Sequence, residues 1–203
     1  MTVPVDTEPQ GREAQSLRTR QRVFDAAIAE YRRVGMADAD IAAIVSAAGV
    51  ARGTFYLHFP TKSHVVAMLE VREQARMAEA FASYLRAAHT LAGALDEVVR
   101  LVIGLERRLG RPLYRDLLAH RFGPVQLGPD GETALPLVPL VVEEIARAQR
   151  AGEVHAGAEP STAAIFFLLG LYALLVTSAA QRQARDALLD QYVAATLRSL
   201  EPR

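Results

Sequence analysis

The segment GVARGTFYLHFPTK, residues 49–62, concentrates hydrogen-bond donors in a short length of chain. It also holds the only lysine, Lys62, among 23 Lys and Arg residues. An arginine can donate two parallel hydrogen bonds to a guanine edge, and Thr, Tyr, His and Lys side chains donate to phosphate oxygens. These residue types together predict contacts with phosphates and bases, provided that the surrounding elements turn the donors outward.

The elements around this segment are two short helices. Asp40 precedes the apolar sequence IAAI, and its carboxylate predicts an N-cap for a helix that ends before Gly49. Glycine accepts the left-handed conformation that a tight turn between helices requires. A second helix is expected from about Ala51 to Phe59, where Pro60 stops it. Two short helices around a glycine turn predict a helix-turn-helix.

The spacing of the second helix predicts which side is buried. Val50, Phe55 and Phe59 share one side and are expected to pack on Ile44 and on a first helix that ends at Gly35. The side chains expected to face outward or sideways are those of Arg52, Gly53, Thr54, Tyr56 and Leu57. A glycine within a helix costs roughly 0.5–1 kcal/mol relative to alanine, so Gly53 indicates that another surface comes close to the backbone there.

Lys62 is predicted to lie at the start of the next helix, where the helix dipole disfavours a cation. A phosphate held between that helix end and the lysine would make the position favourable. Thr54, Tyr56 and His58 add donors suited to a DNA backbone.

AGVARGTFYLHFPTK, preceded by AAIAEYRRVG, resembles the DNA-binding domain of TetR-type (tetracycline-repressor-like) transcriptional regulators, over about Thr19 to Leu69. The resemblance implies an all-α fold: a flexible arm over residues 1–16, a three-helix helix-turn-helix domain over 17–62, and a larger helical ligand-binding and dimerisation domain over 63–203. The DNA-binding residues that it implies are Arg52, Gly53 and Thr54 at base edges or phosphates, Leu57 near a thymine methyl or a sugar, and Tyr56, His58 and Lys62 on the backbone.

Two positions depart from the family pattern. Ala51 stands where a Ser cap is usual, which removes a side-chain cap worth roughly 1 kcal/mol. Ala42 stands where many relatives have a polar, base-reading residue. Arg18, Arg20 and Arg22 are either additional contacts to phosphates or the minor groove, or simply a solvated helix end.

Composition restricts the other possibilities. The 203 residues carry 23 acidic and 23 basic side chains, so a nucleic-acid surface must be local. The absence of cysteine excludes disulfides and thiolate metal sites. There is no signal-peptide pattern, and the apolar stretch 163–176 is shorter than the ~20 residues of a membrane span. We expect a cytoplasmic protein with no membrane partner, no metal, no cofactor and no catalytic motif, and hence no enzyme.

The remainder reads as further helices with no convincing strand. They are expected at about 63–88, 91–109, from Pro112 to near Gly123, and at 138–151, 161–181 and 185–200. The last two are rich in apolar residues on several sides, which predicts a homodimer interface formed by both. The alternative is that these residues only close the core of one chain.

The middle helices are the expected place for a small-molecule ligand. Glu106 lies on an apolar helix face, so it is either paired with an arginine, such as Arg115 or Arg121, or orients a ligand. The residues considered as pocket lining, each of which could equally be plain core, are Tyr84, Tyr114, His120, Phe122, Phe166 and Tyr172.

The resulting hypothesis is a ligand-responsive transcriptional regulator, foremost a repressor that binds a palindromic operator as a homodimer and is released by a small, largely apolar effector. The alternative is a helical protein-interaction module whose exposed Tyr56 and Leu57 bind a protein. The sequence does not specify the operator sequence, the effector or the regulated genes.

Overall fold

The computed structural model of the protein describes residues 8–122, 136–177 and 182–202. The described residues form helices and no strand, which confirms the all-α prediction. The helices are α1 (Glu8–Val34), α2 (Ile41–Ala48), α3 (Arg52–His58), α4 (Lys62–Leu85), α5 (Leu91–Phe122), α6 (Leu137–Arg150), α7 (Pro160–Thr177) and α8 (Arg182–Leu200). The chain divides into two compact units, one of residues 1–69 and 109–121, the other of residues 70–108 and 122–203.

α1 is longer than predicted, because residues 8–16, assigned above to a flexible arm, belong to this helix. Pro9 lies in the first turn, where its missing N–H costs no hydrogen bond, so it does not prevent helix formation. Residues 11–18 are all exposed, so this part of α1 is not packed against the other residues that the structure describes. The arm prediction for residues 1–7 lies outside the described residues.

The core of the first unit is built as the spacing predicts. Phe55 and Phe59 of α3 are buried, and so are Ile44 of α2 and Tyr31 of α1. The rings of Phe55 and Phe59 lie 6.1 Å apart between centroids. α3 therefore contributes its aromatic side to the core and leaves its other side to solvent.

α5 is interrupted at Gly110, whose φ of 72° and ψ of 160° are not helical, and Pro112 follows two residues later. The predicted end of one helix near Leu109 and the start of another after Pro112 are thus confirmed. The division between the two units falls next to this break: residues 109–121 belong to the first unit, and residues 91–108 of α5 belong to the second.

α7 is the most apolar helix of the second unit. It is 18 residues long with a mean hydropathy of 1.8, so by length and composition alone it could cross a membrane. The structure buries one side of it in the second unit, through Ala164, Phe167, Leu168, Leu171, Tyr172 and Leu175. Such a side is typical of a helix in a protein core. The other side is exposed and also apolar, with Phe166 67% exposed.

Tyr192 fixes how α7 and α8 pack together. Its hydroxyl donates to the backbone carbonyl oxygens of Phe166, at 2.9 Å, and of Phe167, at 2.8 Å. Its ring stacks on Phe167 with the centroids 5.8 Å apart. A Cβ atom at Gly170 would overlap the Tyr192 hydroxyl, so this close approach depends on glycine.

Candidate functional site

α2 and α3 form a helix-turn-helix with a bend of 93° between them. The Asp40 carboxylate accepts a hydrogen bond from Ala42 N at 2.8 Å, so Asp40 is the predicted N-cap of α2. Gly49 has φ 63° and ψ 45°, the left-handed conformation that the turn requires. Its N–H donates to Ser46 O, and Val50 N donates to Val45 O, which satisfies carbonyls at the end of α2.

The outer side of α3 presents the residues that the sequence selects for DNA contact. Tyr56 is 44% exposed and Leu57 is 78% exposed. Arg52 and Gly53 are exposed as well, and a side chain at Gly53 would meet no atom within 4 Å. The backbone at Gly53 is therefore open to the approach of another surface. Thr54 and His58 are half-buried at the margins of this side.

The N-terminus of α3 has no side-chain cap. Ala51 occupies the N-cap position, and its carbonyl accepts from Thr54 N at 2.9 Å. The predicted loss of a cap at this position is confirmed.

Lys62 begins α4, as predicted, and its ammonium group makes a hydrogen bond within the protein. Nζ donates to the backbone oxygen of Ala37 at 2.9 Å. The Tyr31 hydroxyl donates to the backbone oxygen of Lys62 at 3.5 Å. An ammonium group has three N–H donors, so this contact with Ala37 leaves donors for a phosphate.

Of the three arginines that the sequence singles out in α1, Arg20 and Arg22 lie next to the helix-turn-helix. The Arg20 guanidinium lies 5.5 Å from the centroid of the Phe59 ring, at the C-terminal end of α3. Arg22 reaches the turn, with Nη1 4.0 Å from where a Gly49 Cβ would be. Arg18, two residues before Arg20 in α1, is exposed. The basic groups of α1 thus lie next to both ends of α3.

In the second unit, Glu106 is paired with an arginine, but this arginine is neither Arg115 nor Arg121. Its Oε2 accepts from Arg185 Nη1 of α8 at 2.7 Å, and the two side chains are 10% and 8% exposed. The pairing interpretation is therefore correct, and the choice of Arg115 or Arg121 is wrong. Removing one member of such a buried pair typically costs about 3–5 kcal/mol, because the other charge stays buried without compensation.

The remaining residues proposed as pocket lining fall in different places. Tyr172 is buried in the second unit, and Tyr84 is half-buried there, with its ring 5.8 Å from that of His89. Tyr114 is also buried, but it belongs to the first unit. His120, in the same unit, and Phe166 are exposed, so neither side chain lies in the interior, and their role in ligand binding stays a prediction. The side chain of Phe122 lies outside the described residues.

Phe166 instead borders a surface groove of about 370 Å³ between α7 and α8. The groove is lined by Ala163, Phe166, Phe167, Gly170, Tyr192, Ala195, Thr196, Ser199 and Leu200. Because α7 is apolar on every side, its sequence gives no indication of which side faces inward. The contacts of Tyr192 determine that orientation.

Sequence reasoning did not single out Asp116. Its Oδ2 accepts a hydrogen bond from Met36 N at 2.6 Å, in the loop between α1 and α2. The two residues are 80 positions apart, and helical spacing carries no information about a contact at that separation.

Comparison with known proteins agrees with this geometry. Residues 23–69 match the family model described as "Bacterial regulatory proteins, tetR family". No curated protein sequence matched the chain.

Solved structures share the fold over most of the chain. The regulator FadR from Bacillus subtilis, in complex with stearoyl-CoA, superposes with a TM-score of 0.70 at 18% identity, covering 87% of this chain and 97% of its own. FadR from Thermus thermophilus, a repressor in complex with lauroyl-CoA, gives 0.67 at 24% identity, covering 88% and 91%. A TetR-family regulator from Pectobacterium atrosepticum gives 0.65 at 23% identity, covering 93% and 96%.

Proposed function

The chain carries a TetR-type DNA-binding domain on a TetR-type fold, and from this premise we propose that it is a cytoplasmic repressor that binds a palindromic operator as a homodimer. A small, largely apolar effector releases it. The observation that carries the proposal is the outer side of α3, where Arg52, Tyr56 and Leu57 are exposed while Phe55 and Phe59 are core.

In the proposed complex α3 enters the major groove. Arg52 donates to a guanine edge, and the open backbone at Gly53 allows the groove wall to approach closely. Thr54, Tyr56, His58 and Lys62 donate to phosphates, while Leu57 contacts a thymine methyl or a sugar. Arg20 and Arg22, at the two ends of α3, add phosphate contacts.

The second copy binds through α7 and α8. One recognition helix reads few bases, and a two-fold pair of them reads two half-sites about 34 Å apart. The exposed side of α7 supports this interface, with Ile165 45%, Leu169 47% and Val176 52% exposed in addition to Phe166. An exposed patch of this kind, adjoining the α7–α8 groove, is typical of a protein interface.

The effector binds in the helical second unit, near Tyr84, Glu106 and Tyr172, and favours a form that holds the recognition helices at the wrong spacing. A shift of this kind requires a few kcal/mol of difference in effector affinity between the two forms. Acyl-CoA thioesters are the first probes, because their acyl chain is apolar and FadR from two species is known in complex with stearoyl-CoA or lauroyl-CoA.

The test begins with duplexes that the purified protein selects from a randomised library. Fluorescence anisotropy then measures affinity for a selected duplex against a scrambled one, at several salt concentrations and with heparin as competitor. We expect selective binding that weakens steeply with salt, because phosphate contacts release counterions. Lauroyl-CoA should release the selected duplex, and coenzyme A alone should not.

If no duplex is enriched, and no binding sensitive to salt or heparin is found, the DNA-binding proposal is wrong. In that case the exposed Tyr56 and Leu57 favour the protein-interaction module. Selective DNA binding that no acyl-CoA changes would instead exclude acyl-CoA as the effector class.

A further inference from the structure

The loop between α1 and α2, residues 35–40, is held at two consecutive residues by side chains from distant parts of the first unit. Asp116 Oδ2 accepts from Met36 N at 2.6 Å. Lys62 Nζ donates to Ala37 O at 2.9 Å. One side of the loop therefore contacts the segment after the break in α5, and the other contacts a lysine proposed to bind phosphate.

The packing around this loop is close. Gly35 has φ 87°, and a Cβ atom there would lie 3.4 Å from Asp116 Oδ2 and 3.8 Å from Pro112 Cβ. Tyr31 is completely buried, and burial together with the charge of Asp116 raises the pKa of its phenol well above the ordinary value. The carboxylate, the loop and Tyr31 therefore form one contiguous cluster.

Lys62 depends on this cluster for the position of its ammonium group. A lysine side chain has four rotatable bonds and loses much of its freedom when it binds one phosphate. The hydrogen bond to Ala37 O restricts that freedom before DNA arrives, provided that Ala37 O stays in place. Ala37 follows Met36, whose N–H is fixed by Asp116.

We propose that Asp116 is a positioning residue for DNA binding: by holding Met36 N, it keeps Ala37 O where it orients the Lys62 ammonium toward a phosphate. The inference rests on the proposed function, because it assigns a partner to Lys62. It also predicts that DNA affinity changes in the direction opposite to the one expected from charge alone. Removing an anion from a DNA-binding domain should strengthen binding to a polyanion, whereas removing Asp116 should weaken it.

The experiment uses a duplex selected by the wild-type protein and compares Asp116→Ala, Asp116→Leu and Asp116→Asn by anisotropy across a salt series. Asp38→Ala is the matched control, since it removes an exposed carboxylate from the same loop. Alanine and leucine at position 116 should weaken binding by about fivefold to tenfold and lower the salt slope by about one, the effect of one lost phosphate contact. Asparagine keeps an acceptor for Met36 N and should restore both values. Asp38→Ala should bind as tightly as wild type or more tightly.

A double-mutant cycle separates positioning from a general effect on folding. In a Lys62→Ala background, Asp116→Ala should cause no further loss. Hydrogen exchange of the peptide that contains Met36 gives a readout without DNA, and its protection should fall in Asp116→Ala and persist in Asp116→Asn.

The inference is overturned if wild type binds and the alanine and leucine variants match it in affinity and slope, or if their loss persists without Lys62. It is equally overturned if both variants lose cooperative melting, since Asp116 would then serve the fold alone. Failure of wild type to bind any duplex would instead contradict the proposed function, and unchanged Met36 exchange would contradict the inference on its own.

Discussion

α3 and α7 both expose large apolar side chains, and their surroundings differ. On α3, Leu57 is 78% exposed and Tyr56 44% exposed, with Arg52 on the same short helix and Lys62 just beyond it. On α7, Phe166 is 67% exposed, and the helix contains no charged residue from Pro160 to Thr177. Exposure alone does not distinguish the two surfaces.

The difference shows that the charge around an exposed apolar residue indicates its partner. A DNA surface offers phosphates, so a side that binds it combines apolar contacts with donors. The core of a protein interface is depleted of charged residues and rich in aromatic ones, which is the composition of the exposed side of α7. An added negative charge is therefore expected to break the dimer when it is placed on α7, and to weaken DNA binding with the dimer intact when it is placed on α3.

The largest effect is expected for Phe166→Glu. A glutamate here would be buried without a partner in the proposed two-fold interface, where an unpaired carboxylate is strongly unfavourable. Sedimentation should show a monomer. Affinity for the selected duplex should fall by about 100-fold or more, because the two half-sites are no longer bound by one linked pair.

Leu57→Glu is the reciprocal variant, since it adds the same charge to α3. It should weaken DNA binding, though less than the loss of the dimer does, and it should leave the dimer intact. Sedimentation and anisotropy of the two variants, measured side by side, test this difference. Val71→Glu, at a position of α4 that is 62% exposed, should change neither property. A Phe166→Glu protein that remains dimeric would exclude this side of α7 as the interface.

A smaller effect is expected for Arg52→Ala. Loss of a bidentate contact with guanine costs about 1–3 kcal/mol per base pair and relaxes selectivity at that position of each half-site. Anisotropy with duplexes substituted one position at a time measures both. Arg150→Ala removes an equal charge from an exposed position of α6 and should leave selectivity unchanged. A uniform loss over all duplexes would instead assign Arg52 to a phosphate.

How far sequence predicts this molecule depends on the range of each contact. Asp40 and Gly49 act within one turn of themselves, so their cap and their left-handed conformation could be read from local sequence. Helical periodicity likewise assigned Phe55 and Phe59 to the core. The partner of Glu106 lies 79 residues away, at Arg185, and no periodicity reaches that distance.

Two other errors have equally physical causes. Phe166 was assigned to the interior because a helix that is apolar all round has no distinguishable inner side. The helical start of α1 was missed because proline and glycine were taken as breakers, although proline is well tolerated in the first turn of a helix.

The next effect compares two helical glycines. Gly170→Ala places a Cβ into the Tyr192 ring and hydroxyl, and overpacking of this kind costs about 1–3 kcal/mol. For a chain of this size, the midpoint temperature of thermal unfolding should fall by about 2–4 °C for each kcal/mol of lost stability. Gly53→Ala meets open space and should raise stability by about 0.5–1 kcal/mol, while weakening DNA binding if a groove wall approaches there.

The two alanine variants are thus expected to change the stability of the protein in opposite directions. If both alanine variants bind DNA as wild type does, the backbone at Gly53 is not in close contact with the duplex. If Gly170→Ala melts as wild type does, α7 and α8 can separate without cost, and the groove between them is not fixed by Tyr192.

The smallest effect concerns pH. In the second unit, His89 Nδ1 donates to Ala87 O at 2.7 Å, and Nε2 lies 3.2 Å from Glu144 Oε2. The bond to Ala87 and the neighbouring carboxylate raise the pKa of His89, against burial and the charge of Arg147. Burial acts to raise the pKa of Glu144, but the hydrogen bonds from Arg147 and His89 outweigh it and hold that pKa below its usual value.

The sign follows from linkage. Because the folded pKa of His89 exceeds the unfolded value of about 6.5, its stabilisation is complete below that pH and is lost as pH rises through the folded pKa. Urea unfolding between about pH 5.5 and 8.5 should therefore show stability falling with pH by less than about 1 kcal/mol. His89→Gln should remove this slope, whereas His64→Gln, at an exposed position of α4 in the first unit, should retain it. A slope that survives His89→Gln would assign the titration to another group.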